Sequence, residues 1–364
     1  LSRNPCFVAA TPLLKAVRVI RTVAAVRISP QPEKLNYLKP MSEELLMSLK
    51  RLAKRFTLTA GFAAILVLVA VLALSRLEII KPRAEQKINA AGSIEGITLP
   101  EGFSITVFAD GKGSLGSYPG PNVGFRFMTL VGDVLMVSAT GQGKVFAFPD
   151  SNKDGKADKA VTVIEGLSKP HGLAYRDGWL YIAEEHRVIK GRDSNNDFVI
   201  EPETVVDGLP SGGGHFTRTI AVKNDSLFVS IGSSCNVCFE ANEWRASIVK
   251  CDLNGSSCEV FAKGLRNSVG IKFHTLTGQL WATDNGRDWL GNDLPPEELN
   301  IIEEGKDYGW PICYGSKVHD SEFDKRVYVR DPCADSAPAA FELQAHSAPL
   351  GLEFYDGSNF PEEY

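Results

Sequence analysis

From Ile94 onward, apolar and polar residues alternate in short runs broken by Gly, Asp and Asn, with almost no helical period. Four runs share one layout of strand, polar turn and strand: LVGDVLMVSAT from Leu130, YRDGWLYIAEE from Tyr175, VKNDSLFVSIGS from Val222 and HTLTGQLWATDNG from His274. Their starts at 130, 175, 222 and 274 lie 45, 47 and 52 residues apart. That spacing predicts an all-β propeller with blades of about four strands.

Most repeats close on a Gly-Leu phrase, as in VIEGLSKP, VVDGLPSG and VFAKGLRN. A Gly-Leu turn reused before each new inner strand places Pro170-His171, Gly214-His215 and Arg266-Asn267 at equivalent entrances to the innermost strands. A propeller gathers such entrances around one mouth of its channel, and converging polar groups there suit a ligand. A lone strand histidine such as His171 is ordinarily a hydrogen-bonded structural residue. His215 differs, because three glycines at 212–214 precede it and let a ligand approach the backbone, and Thr217 and Arg218 follow.

The fourth hairpin, with strands expected at 269–273 and 279–283, runs into a loop crowded with Asp284, Asn285, Arg287, Asp288, Asn292 and Asp293. Arg266 and Asn267 stand just ahead of its first strand, so both ends of the hairpin carry polar groups able to meet at one ligand. A solvated loop with a bridging arginine is the plainer alternative. Near the end, HSAPLGLEFYDGSNFPEEY reads as a fifth blade opening with its inner strand at 350–355. A propeller left open exposes strand edges, so the sequence is expected to lack its last blade or so.

The net charge of -5 hides a split: residues 1–56 hold 11 Lys and Arg against 3 Asp and Glu, or +8, which leaves -13 for the remainder. An acidic main domain argues against nucleic acid as a partner. Between the two parts lies LTAGFAAILVLVAVLAL, residues 58–74, without a charge. With its flanks it predicts a transmembrane helix at 57–75 between a basic leader (1–56) and a linker (76–93). Lys50, Arg51, Lys54 and Arg55 ahead of it keep the N-terminus cytoplasmic and send the domain at 94–364 to the outer or periplasmic side. A cleavable signal peptide is the rival, although Ser75-Arg76-Leu77-Glu78 makes a poor cleavage site. Met41, followed by SEELLMSLKRLAKRF, looks like a natural start, which would make residues 1–40 upstream reading frame.

Apart from Cys6, the cysteines form three sequence-local pairs: Cys235 with Cys238, Cys251 with Cys258, and Cys313 with Cys333. In an exported domain such pairs read as disulfides. Phe239 stands where a haem attachment motif needs histidine, and a zinc site would use two short Cys knuckles where only one exists. Asp150, Asn152, Asp154, Gly155 and Asp158 follow the opening of an EF-hand loop but reach Val161 where the bidentate glutamate belongs. Asp193, Asn195 and Asp197 echo it one blade later, which favours a polar hairpin turn over a filled calcium site.

Between residues 264 and 311 the phrases GLRN, TGQLW, DNG, ELN and YGWP occur in order. This set resembles the pyrroloquinoline-quinone (PQQ)-dependent aldose dehydrogenases, especially their L-sorbosone or pyranose dehydrogenase branch, over roughly residues 95–364. The resemblance implies a six-bladed β-propeller, here without its last part, that oxidises an aldose or related sugar with PQQ and Ca2+. The segment GGGHFTRTIAV is similar to the one bearing the family's catalytic histidine, which makes His215 the implied general base. Arg266, Asn267, His171, Arg218 and Asn285 are the implied cofactor contacts, although Arg218 stands one place earlier than the family's arginine. The backbone carbonyls of Gly286 and Arg287 are the implied calcium ligands, with Arg287 in place of the family's proline and Asp284 adding charge behind them. Electrons would leave to a quinone or cytochrome acceptor. A calcium-dependent sugar lactonase on a similar propeller and a non-catalytic binding propeller remain the rival readings.

Overall fold

The computed structural model describes residues 99, 103–109 and 124–357. The chain divides into two compact units, 1–26 with 106–364, and 27–105. The second is described only at 99 and 103–105, and every element below belongs to the first. The expected leader, start at Met41, membrane helix and linker lie outside the described residues. Among the described residues, no helix is long and apolar enough to cross a membrane.

Four antiparallel sheets of four strands repeat along the chain. The first holds β1 (Phe125–Val131), β2 (Val134–Ala139), β3 (Lys144–Phe148) and β4 (Val161–Ile164). The second holds β5 (Leu173–Arg176), β6 (Trp179–Ala183), β7 (Val188–Gly191) and β8 (Glu203–Val206). The third holds β9 (Arg218–Lys223), β10 (Ser226–Ile231), β11 (Ser247–Asp252) and β12 (Cys258–Lys263). In the fourth, β13 (Ile271–Phe273), β14 (Leu280–Asp284) and β15 (Glu297–Ile302) are followed by an excursion containing the hairpin β16 (Cys313–Tyr314) and β17 (Val318–His319), and β18 (Phe341–Leu343) supplies the outer strand. The first strands β1, β5, β9 and β13 neighbour one another in that order, as the inner strands of successive propeller blades do. The four hairpins read from sequence are the turns between each blade's first and second strands.

Each contact between blades is a hydrophobic layer. Met136, Val145 and Val163 of the first blade meet Leu173, Leu180 and Ile182 of the second. Tyr181, Val188 and Val205 of the second meet Ile220, Leu227 and Val229 of the third, and Phe228, Ile248 and Ala262 of the third meet Ile271, Leu280 and Ala282 of the fourth. A buried aliphatic side chain contributes about 1.5–3 kcal/mol and a net hydrogen bond about 1 kcal/mol, so these layers carry most of the stability. Hydrogen bonds between blades set their register instead. Ser138 Oγ donates to His171 O (2.7 Å), Thr283 Oγ1 to Leu350 O (3.4 Å), and Ser230 Oγ to Ser268 O.

The segment expected as a fifth inner strand, 350–355, forms no strand ladder, but it runs where that strand belongs. Leu352 and Phe354 are buried against Leu299, Trp281 and Phe341, on the face of the fourth blade turned away from the third. Gly270 faces the backbone of Leu350 and Leu352 much as Gly172 faces that of Arg218 and Ile220.

A Cβ at Gly172 would lie 2.6 Å from Arg218 O and 2.7 Å from Ile220 N, both backbone atoms that cannot move aside. Gly172→Ala therefore costs about 3 kcal/mol in urea unfolding, high in the range for overpacking. Gly351→Ala, with nothing within 4 Å of the added carbon, stays within about 0.5 kcal/mol. Equal unfolding midpoints for the two variants would contradict this account of blade contact.

Candidate functional site

The sheet registers fix which residues are equivalent. Leu173 pairs with Ile182, Ile220 with Val229 and Ile271 with Ala282. Five residues before each of those first strand positions stand Ser168, His215 and Arg266. Two residues before stand His171, Arg218 and Val269. His215 and Arg266 thus occupy matching entrances as expected, whereas His171 is displaced by three positions and its match is Arg218. The stretch 210–214 lengthens the third blade's entrance by five residues, so that His215, six residues after Leu209, matches Ser168 and Arg266, one residue after Leu167 and Leu265.

His171 and Arg218 are accordingly buried between blades. His171 is 2% exposed, with Nδ1 at 3.3 Å from both Arg218 O and Thr219 Oγ1. Its enclosure, with Arg126 adding to the effect, lowers its pKa to about 3. Arg218 is fully buried and donates to the carbonyls of His215 (3.1 Å), Thr217 (2.8 Å) and Pro210 (2.5 Å). Its guanidinium braces the loop that carries His215. The two residues expected as cofactor contacts thus spend these hydrogen bonds on the protein's own backbone.

His215 is half-buried, with Nδ1 at 3.0 Å from Ser233 O and 2.9 Å from Ser233 Oγ. A proton on Nδ1 satisfies the carbonyl and leaves Nε2 as the free basic nitrogen, without a hydrogen-bond partner among the described residues. Burial, then the charge of Arg266, lower its pKa to about 4 despite the Ser233 hydrogen bond and the charge of Asp288, and Arg245 lowers it further. It is a neutral imidazole in a positive field. Asn267 and His215 both pack on Gly232, where an added Cβ would meet Asn267 Oδ1 at 2.5 Å and His215 Cβ at 2.7 Å.

The glycines ahead of His215 have divided work. Gly213, at φ +83°, packs on Ser234, and Gly214 N–H donates to Ser234 O at 2.7 Å. Gly212 has open space beside it, and its carbonyl and that of Ser211 accept from Arg245 Nη2 at 2.7 and 2.8 Å. Arg245 therefore adds a second fixed cation near the histidine.

At the fourth blade, Asp284 ties both ends of the hairpin together. Its carboxylate accepts from Arg266 N–H (2.9 Å), Asn267 N–H (2.7 Å) and Ser268 Oγ (3.1 Å). Burial and the nearby Glu298 carboxylate push its pKa well up. Glu184 caps Ser168 N–H in the matching place of the second blade. Asn285 donates through Nδ2 to Asn267 O (3.2 Å) and Pro349 O (2.8 Å). The Arg266 side chain, 5% exposed overall, donates to Asn236 O, Asn236 Oδ1 and Asn285 O. The Arg287 side chain turns to a buried ion pair with Asp320 at 3.0 Å.

The carbonyls of Gly286 and Arg287 accept no hydrogen bond among the described residues, whereas their neighbours Asn285 O and Asp288 O are both engaged. Such a pair of unengaged oxygens suits a hard cation. The other loops do not. Asp150 and Asp193 use their carboxylates on their own backbone N–H groups, as polar hairpin turns do. All three cysteine pairs are disulfides, so the cluster of Cys235, Cys238 and Glu240 offers no thiolate to a metal. Sequence reasoning missed Ser233, Asn236 and Arg245. The spacing Cys235-Asn-Val-Cys238 was the available signal for Asn236.

Because the pKa of His171 falls from 6.5 in the unfolded chain to about 3, the unfolded chain binds the proton preferentially between those values. Its contribution to stability is therefore full above pH 6.5 and is lost on acidification, by up to about 1.4 kcal/mol per pH unit. Asp284, Glu297 and Glu298, raised by burial, oppose that trend. The comparison is thus between slopes: stability falls less steeply from pH 6.5 to 4 in His171→Gln than in the unaltered protein when unfolding midpoints are followed.

Comparisons place this geometry among known proteins. A protein of Borreliella burgdorferi described as uncharacterized is 35% identical over 241 residues, covering 62% of this chain and 61% of that one. The chain thus spans about six-tenths of that relative's length. A protein of Hypocrea jecorina named a pyrroloquinoline quinone-dependent sugar dehydrogenase is 26% identical over 189 residues, covering 42% of this chain and 44% of the relative. A calcium structure of a Trichoderma reesei member of carbohydrate-active enzyme family AA12 superposes with a TM-score of 0.57 at 22% identity, over 64% of this chain and 70% of the other, and shows the shared fold. The family model described as TrAA12-like matches residues 131–361, well over half of the sequence, and the chain belongs to that family.

Proposed function

We infer that the protein oxidises an aldose or related sugar as a PQQ-dependent dehydrogenase, with His215 as general base. The observation that carries this reading is a neutral histidine with Nδ1 fixed on Ser233 and Nε2 free, flanked by buried Arg266 and Arg245. A polycarboxylate quinone fits such a field, and the unengaged carbonyls of Gly286 and Arg287 fit a calcium ion beside it. When bound, the quinone supplies the hydride acceptor and calcium polarises it as a Lewis acid.

The chain's own residues do the rest. Ser233 holds the tautomer, so that Nε2 takes the proton from the sugar hydroxyl whose carbon loses hydride. Arg266 and Asn267, held through their backbone by Asp284, face the cofactor, and Asn285 braces Asn267. Negative charge delivered with the cofactor offsets Arg266 and Arg245, raising the His215 pKa from about 4 towards the working range of a base.

The anchor reading and the three disulfides support a membrane-tethered domain outside the cytoplasm that passes electrons to a quinone or cytochrome. The relative's name favours dehydrogenation over the lactonase alternative.

The test is reconstitution of the full chain with PQQ and calcium, followed by dye reduction across a panel of aldoses and by lactone hydrolysis. The expected result is dye reduction that requires both additions and is lowered about 10²–10⁴-fold in His215→Ala. In the unaltered protein the acid limb of kcat lies above the value of about 4 that His215 has in the free chain. Lactone hydrolysis without dye reduction would replace this reading with the lactonase, and neither activity would favour a binding propeller.

A further inference from the structure

The connection after β10 carries the Cys235–Cys238 disulfide, and between the two cysteines lies Asn236. Four hydrogen bonds join this residue to two other parts of the site. Its backbone carbonyl accepts from Arg266 Nε at 2.8 Å, and its Oδ1 accepts from Arg266 Nη2 at 2.7 Å and from Asp288 N–H at 2.8 Å. Its Nδ2 donates to Asp288 O at 3.1 Å.

Arg266 has one other hydrogen bond from its side chain, Nη1 to Asn285 O at 3.0 Å, and a longer contact with Asp288 at 3.6 Å. Asn236 therefore supplies most of what aims the guanidinium. It also holds both polar groups of the Asp288 backbone, the residue that follows Gly286 and Arg287 in the chain. A primary amide meets these demands because it accepts twice and donates once. The disulfide closes a short ring around it, and Ser233 Oγ, which also meets His215, donates to Cys235 O at 2.7 Å. Closure removes backbone freedom that would otherwise have to be lost on binding.

We propose that Asn236, held in the Cys235–Cys238 ring, is a positioning residue that sets the Arg266 guanidinium and the 285–288 backbone beside His215 for an anionic ligand bound with a cation. The proposal rests on the quinoprotein reading for the identity of that ligand, and on the hydrogen bonds alone for the positioning.

The full chain is compared with Asn236→Ala, Asn236→Asp and Val237→Ala by two readouts. The first needs no ligand: NMR titration of His215, which Arg266 depresses and which Arg245 and Asp288 also influence. With the guanidinium released, His215 titrates at higher pH in Asn236→Ala and at its original pH in Val237→Ala. The second is the Kd for PQQ with calcium, which rises at least about tenfold in Asn236→Ala, recovers in part in Asn236→Asp, and is unchanged in Val237→Ala. An unmoved His215 in Asn236→Ala overturns the proposal whatever the quinone does. If His215 moves but the unaltered chain binds no quinone, the positioning stands and the quinoprotein reading fails. Should Asn236→Ala not fold, Asn236→Ser gives the same comparison, with loss of the Arg266 effect expected and its retention contradicting the proposal.

Discussion

The carboxylate of Asp284 is the joint on which the site turns. It stands at the end of β14 and accepts hydrogen bonds from the backbone of Arg266 and Asn267 and from the hydroxyl of Ser268, so the entrance and exit of one hairpin form a single body. An acceptor buried at this depth is costly without donors, and three donors converge on it. From that joint, Arg266 reaches Asn236, Asn236 reaches Asp288, and Asn267 lies against Gly232, as His215 does. Two blades are thereby joined at their rims by polar bonds as well as by the hydrophobic layer below.

The two kinds of contact have separate tasks. Aliphatic layers between blades stabilise the blade-on-blade stack and tolerate many side chains of similar volume, so they define the fold without defining a site. The rim carries buried cations and carboxylates close together, with Arg266 beside Asp284 and Arg287 paired to Asp320. Such groups add little net stability, but they fix geometry and electrostatic field. His215 is held neutral by that field, as a proton acceptor must be before it can act.

Much of the fold was legible in the sequence. The hairpins announced themselves by alternation and by turns such as Arg176-Asp177-Gly178 and Asn224-Asp225, and each fell between a first and a second strand. His215 and Arg266 were found at matching entrances for the same reason. His171 was misplaced because polar residues after each Gly-Leu phrase were matched without a strand register: it stands four residues after Leu167, whereas Arg266 stands one after Leu265. Capping acids at the end of the second strand, Asp284, or just past it, Glu184, mark the true register, yet nothing in their local sequence distinguishes them from solvated loop residues. The Cys235-Asn-Val-Cys238 spacing singled out the segment of Asn236, but not its partners, which lie 30 and 52 positions away. Arg218 was read as a ligand contact because its motif neighbours His215, whereas its side chain turns inward to three carbonyls.

The central claim is that the rim around His215 Nε2 is a quinone site. The most direct measurement is a crystal structure of the chain grown with saturating PQQ and calcium. Density for the quinone facing His215 Nε2, with a cation on the Gly286 and Arg287 carbonyls, is the result this account predicts. A well-ordered rim that stays empty under those conditions, or quinone bound elsewhere on the propeller, would contradict it.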